Sequence, residues 1–219
     1  MATRKIARET GLIIFHLIPF IYLLIVFKNL PDVVATHFDI HGVADGFSNK
    51  TTLIWILAAL NGFGYILFLV IPLIDPKKFA EKSAKIYLKV RIGMSILFVS
   101  LSILLVYMAN GNPEKGIVML ALIFAALCVF LGNYFQAVKP NYFIGIRTPW
   151  TLNSDEIWRQ THLVTGKLLF YGGLLSLPVI FILPSTMSPF ASVTVLVGAS
   201  IFSVIYSFIL FKKEKAKTG

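Results

Sequence analysis

Six apolar stretches without Asp, Glu, Lys or Arg divide the chain, at residues 11–27, 52–74, 92–109, 116–133, 168–183 and 190–211. Each meets or approaches the ~17–25 residues that a helix needs to cross the hydrocarbon core at about 1.5 Å per residue. The pattern predicts an all-α integral membrane protein with six transmembrane helices. Outward connections at 110–115 and 184–189 are short enough only to close helical hairpins.

Polar positions concentrate in two longer connections. In 31–50 the alternation over 33–40 predicts a short extended piece, and His41-Gly42 and Asp45-Gly46 supply turn signals. In 132–167, Pro140 and Pro149 push the residues before them towards extended geometry and bar a continuous helix. Asn153 with Glu156 three residues on then reads as a capping box. Ile157, Thr161, Val164 and Leu168 follow at helical spacing. The expected object is a short cytoplasmic amphipathic helix with Trp150 and Trp158 at headgroup depth, running into the fifth span. The chain divides accordingly. Residues 1–90 form a two-helix module with an extracellular loop 31–50, and residues 91–219 form a four-helix module with a cytoplasmic loop 132–167.

Composition agrees with the pattern. With 57% hydrophobic and 14% charged residues and a mean hydropathy of +0.82, there is too little polar surface for a water-soluble domain. The net charge of +10 is distributed unevenly: 17 of the 20 basic residues lie in the two tails and in the connections after the second and fourth spans. Only Lys28, Lys50 and Lys115 lie on the other side. Retention of basic loops places both termini in the cytoplasm. The cations are expected to settle against anionic lipid headgroups, and without a reader motif no direct nucleic-acid binding is expected. Cys128 is alone and inside a span, which leaves neither a disulfide nor a thiolate metal site. The first stretch has no small-residue cleavage site and reads as an uncleaved signal-anchor.

Catalytic signals are weak. There is no H-E-x-x-H motif and no pair of carboxylates within the spans. Asp155, Glu156 and Arg159 miss the Glu-Glu-x-x-x-Arg motif of CAAX-type intramembrane proteases by one residue and are expected to give an Asp155–Arg159 pair at i, i+4. His16 reads as a satisfied, interface-depth histidine near the Pro19 irregularity, ahead of a proton relay. Asn61, beside Gly62 and Gly64, reads as an interhelical hydrogen-bonding residue at a close helix contact. His37, Asp39 and His41 at i, i+2 and i+4, completed by Asp45, have the donor types of a zinc set. A solvated loop explains the same residues, and neither a metal nor a cofactor is expected.

One run is more specific. Gly132-Asn133, the stretch Asn141-Tyr142-Phe143-Ile144-Gly145-Ile146-Arg147-Thr148-Pro149-Trp150-Thr151-Leu152, and then Trp158, Thr161-His162 and Gly166-Lys167 resemble the signature of the SdpI family of bacterial immunity proteins. Pro31, His37-Phe38, Gly42, Asp45-Gly46 and Asn49-Lys50 are similar to the uncharacterised module often fused before it. The resemblance implies a non-enzymatic multi-pass protein of the bacterial cell membrane that confers resistance to a secreted, membrane-active antimicrobial peptide. A cytosolic transcriptional repressor is a further partner it suggests. Pro31, His37, Phe38, Gly42, Asp45 and Lys50 are the candidate toxin-binding residues of the outer loop. Asn133, Asn141, Gly145, Arg147, Thr148, Pro149, Trp150, Trp158 and His162 are the candidates for partner or lipid contact on the inner side. Arg147 has the chemistry to bind a lipid phosphate, a loop carbonyl or a partner carboxylate. The competing expectation is a small-molecule or ion transporter or channel, favoured by six spans and disfavoured by their lack of carboxylates.

Overall fold

A computed structural model describes residues 2–39, 43–76, 78, 81 and 83–218. With no water in the bilayer core, each charge-free run closes its backbone hydrogen bonds internally as a helix. The order is α1 (Ala2–Val26), strands β1 (Val33–Phe38) and β2 (Ala44–Asn49), α2 (Thr52–Ile74), α3 (Ala84–Ala109), α4 (Pro113–Phe135), α5 (Pro149–Asn153), α6 (Asp155–Ile182), a 3-10 turn (Ser185–Met187) and α7 (Ser188–Thr218). Among the described residues, α1, α2, α3, α4, α6 and α7 are long and apolar enough to cross a membrane. Their outward faces are apolar where a soluble protein would be polar: Trp55 is 75% exposed, Ile182 79% and Leu73 84%. Such faces fit a lipid solvent.

The bundle is two groups of three helices. In one, α1 and α2 pack on α3; in the other, α4, α6 and α7 pack on one another; α3 against α4 joins them. α3 is therefore shared by both groups. At one end of the bundle, Leu23, Leu30, Val34, Leu53, Leu57, Val106 and Ala109 form a core beneath the β-hairpin. At the other end, Phe68, Ile71, Tyr87 and Val90 of α2 and α3 bury against Val138 and Trp158 of the 132–167 segment.

The extended piece expected in the outer loop is one arm of an antiparallel hairpin, so the helical fold carries a small sheet. Val33 faces Asn49 and Val34 faces Ser48, and the register is irregular between Ala35 and Phe38. Three local expectations are corrected. Asn153 ends α5 and does not cap; Ser154 Oγ accepts from the Ile157 N–H at 3.3 Å, while the capping box belongs to Thr148 and Thr151 of α5. Arg159 pairs with Glu156 at 2.6 Å and not with Asp155. Gly62 has open space where a side chain would go; Gly64 is the close contact, against Phe98.

Candidate functional site

At the hairpin end, Lys50 fastens the base of the sheet. Its Nζ lies 3.1 Å from Asp32 Oδ1, donates to Leu30 O at 3.3 Å and sits 5.3 Å above the Phe27 ring. The hairpin's far half overhangs α3 and α4. Phe38, Leu101, Leu104, Leu105, Met108 and Ile117 enclose an apolar pocket of about 280 Å³, with His37 and Asp39 at its rim. His37 and Asp45, both exposed, meet at 2.5 Å across the two strands. Gly46 is required there, because a Cβ would fall 2.7 Å from His37 Cβ. Pro31 is exposed at the foot of β1. Gly42 and His41 lie outside the described residues. Asp39 Oδ1 accepts from the Val43 N–H at 2.8 Å, and among the described residues no three His, Cys, Asp or Glu side chains are placed to share a metal ion.

The opposite end is an internally bonded loop. Asn141, fully buried, accepts from the N–H groups of Phe143 and Ile144 at 2.8 and 2.7 Å and donates to the carbonyls of Lys139 and Ile144 at 2.9 Å. Gly145 follows with φ +116°, a conformation open to glycine at little cost. That turn aims the Ile146 N–H at His162 Nε2, 2.9 Å away. His162 Nδ1 lies 2.8 Å from Trp158 O. Because the Trp158 carbonyl only accepts and Nε2 must accept the Ile146 N–H, the imidazole is the neutral tautomer with its proton on Nδ1. Trp158 stacks on His162 at 4.1 Å and donates Nε1 to Val138 O at 2.8 Å. At 1% exposure Trp158 is a core residue, which corrects its expected place at headgroup depth.

Thr148 and Thr151 close the α5 capping box, and Thr151 Oγ1 donates to Ile146 O at 2.9 Å. Trp150 Nε1 donates to Ser207 Oγ at 2.5 Å, and its ring lies against Phe208 and Phe211 of α7. Arg147 Nη1 donates to Tyr142 O at 2.8 Å while the side chain stays exposed. Pro149 and Asn133 are also exposed. The loop thus gathers Asn141, Gly145, Thr148, Trp150, Trp158 and His162 into one structure and leaves Arg147, Pro149 and Asn133 on its surface.

A third constellation was hidden in the sequence. The helices α1 and α3 start before the charge-free runs do, so Glu9 and Arg91 lie within the membrane-length helices and not in the loops. Arg91 donates Nη1 and Nη2 to the two Glu9 oxygens at 2.9 and 2.6 Å, and Tyr65 OH donates to Glu9 Oε2 at 3.2 Å. The Arg91 guanidinium also lies 5.1 Å over the Tyr65 ring. One turn along α2 from Tyr65, Asn61 donates Nδ2 to Leu57 O and Ser102 Oγ, which turns its Oδ1 towards His16 Nδ1 at 3.0 Å. Ser95 Oγ sits 3.1 Å from His16 Nε2. The satisfied histidine expected from the sequence is present, but it belongs to a polar column through α1, α2 and α3. Periodicity carried the missing signal: Asn61 and Tyr65 are four apart on α2, as are Arg91 and Ser95 on α3.

Two family models match separate parts of the chain. Residues 137–207 match the model of the SdpI/YfhL protein family. Residues 14–62 match a domain of unknown function, DUF1648. The chain is similar to the Immunity protein SdpI of Bacillus subtilis (strain 168), with 22% identity over 201 residues, covering 92% of this chain and 94% of that protein. No solved structure matches.

Proposed function

From a chain that joins an SdpI/YfhL segment to a DUF1648 segment, we propose a non-enzymatic immunity protein of the bacterial cell membrane that binds a secreted, amphipathic, membrane-active peptide at its outer face. Under this reading the hairpin faces outwards and both termini and the 132–167 loop are cytoplasmic, the arrangement that the distribution of basic residues favours. The observation that carries it is the pocket beneath the hairpin: an apolar floor from α3 and α4 with Asp39 at the rim and Asp45 nearby on β2. That is the complement of a helical peptide with apolar anchors on one face and cations on the other. Peptide held there is withheld from insertion or assembly.

α3 offers the route from binding to a response. Its Leu101, Leu104, Leu105 and Met108 line the outer pocket, and its Tyr87 and Val90 pack against the inner loop. A peptide that binds one placement of α3 more tightly than another shifts the loop by that difference in affinity and no more. The exposed Arg147 and Asn133 are then the surface offered to a cytosolic repressor. Recruitment of a fluorescently tagged repressor to the membrane only when peptide is present tests this step, and recruitment independent of peptide sinks it.

The central test is survival. Cells sensitive to a membrane-active peptide should gain resistance on expressing the chain, and lose it when residues 31–50 are replaced by a neutral linker. Filling the pocket with Leu105→Trp should raise the protein's Kd for the peptide by about tenfold, the equivalent of ~1.4 kcal/mol. Undiminished protection by a correctly inserted linker variant rules out the outer site.

A second reading, ion or small-molecule transport, is favoured by the Glu9–Arg91 pair and the His16 cluster, because ionisable groups inside a membrane are costly and tend to mark pathways. Flux into proteoliposomes that falls on His16→Ala and Asn61→Ala promotes it. Equal leakage from protein-free vesicles removes it.

A further inference from the structure

Where the two helix groups meet, α3 and α4 leave a groove of about 310 Å³ open to the side. Ile92, Gly93, Ile96 and Leu97 line it from α3, and Ala126 and Phe130 from α4; its lining is otherwise apolar apart from Ser100, Tyr134 and Lys89. From Lys89 to Ser100 is eleven residues, or about 16 Å along a helix. One leaflet of a ~30 Å hydrocarbon core is about 15 Å deep. The groove therefore runs from the membrane surface on the loop side to the mid-plane.

Charge is concentrated at its mouth. Lys85 and Lys89 stand one turn apart on α3, on the stripe that continues into Ile92, Ile96 and Ser100. Both are exposed, and among the described residues neither forms an ion pair with a carboxylate. Lys89 Nζ lies 5.6 Å over the Tyr134 ring, which holds the ammonium above the opening. The 26 residues of α3 make a helix of about 39 Å, about 9 Å longer than the hydrocarbon, so its first six residues, 84–89, fall at headgroup level.

We propose that this groove binds one anionic phospholipid of the adjacent leaflet, with an acyl chain between α3 and α4 and the phosphate held by Lys85 and Lys89. Each part of the ligand meets its own chemistry: hydrocarbon against hydrocarbon to mid-bilayer depth, and a phosphate where two lysines stand without a carboxylate partner among the described residues. The bound chain fills the seam between the two groups of helices. The inference is independent of toxin binding, which belongs to the opposite end of the bundle.

The test uses the full chain purified in mild detergent and titrated with phosphatidylglycerol or phosphatidylcholine, read by native mass spectrometry. One phosphatidylglycerol should be retained at least about tenfold more strongly than phosphatidylcholine, a difference of ~1.4 kcal/mol. Lys85→Gln with Lys89→Gln should abolish that preference. Ala126→Phe, which plugs the groove with an apolar side chain, should lower retention of both lipids while leaving the circular dichroism and Tm in detergent unchanged. Soluble glycerol phosphate should not compete, because it lacks the chain. Equal retention of the two lipids by the wild type, displacement by glycerol phosphate, or unaltered phosphatidylglycerol binding by the folded plugged variant overturns the proposal.

Discussion

Gly145 and Glu9 show how single residues commit the two polar regions. A Cβ on Gly145 would sit 2.3 Å from His162 Nε2, and its φ of +116° is strained for any L side chain. Gly145→Ala should lower stability by about 1–3 kcal/mol, through backbone strain and loss of the Ile146–His162 bond. Thermal unfolding in detergent measures it, with Gly198→Ala, which meets nothing within 4 Å, as the comparison; equal Tm values would mean that the turn relaxes freely. Glu9 presents the opposite case, a charge whose value lies in its partner. Arg91 has a side chain only 6% exposed and an unbonded Nε, so Glu9→Gln strands a cation among helices. The expected loss is about 3 kcal/mol. Replacing Arg91 with Met as well should restore much of it, since a hydrophobic pair of similar volume often substitutes for a buried ion pair. A double-mutant cycle reads the coupling, and additive losses would show that the pair is not one unit.

Among the elements, α4 and α6 make the closest approach through glycines. A Cβ on Gly132 would fall 2.4 Å from the Phe170 nitrogen and 2.7 Å from Gly166 O. These are backbone atoms that cannot swing away. Small residues at a helix crossing are how membrane helices bring their backbones together. Gly132→Ala should cost about 1–3 kcal/mol through overpacking, with Gly62→Ala, in open space, close to neutral; the two unfolding temperatures in detergent decide it. The six helices were legible because length and absence of charge are one-dimensional signals. Helix ends were not. Arg91 stood next to a charge-free run and counted among the basic residues of a connection, although the geometry pairs it with Glu9 across 82 positions. Trp158 was misplaced for a related reason: an aromatic residue near a membrane surface has a headgroup-depth reading by default, and only the fold shows that Val138 and His162 enclose it. The cap fell to Ser154 rather than Asn153 because α5 occupies 149–153, and a five-residue helix leaves too little periodicity to see.

For the whole molecule, the polar loops were recognisable as loops while their internal economy was not. The pattern Asn141 to Trp150 marked a special segment, yet turning of its polar atoms inwards depends on α6 and α7 supplying His162 and Ser207. The division at residue 90 likewise meets a helix that serves both groups, since α3 holds Arg91, Ser95 and Ser102 against α1 and α2 while packing along α4. Orientation is the global property that decides which end meets a secreted peptide. The basic residues strongly favour one arrangement: 17 of 20 lie in the two tails and in the connections after the second and fourth spans, and moving such loops across a membrane is disfavoured. Cys128 is buried, so an introduced thiol on a Cys128→Ser background gives a clean report. Val43→Cys in the hairpin should react with a membrane-impermeant maleimide in intact cells, whereas Lys139→Cys in the inner loop should react only after permeabilisation. The reverse labelling pattern would place the hairpin in the cytoplasm and remove the outer pocket from the reach of any secreted peptide.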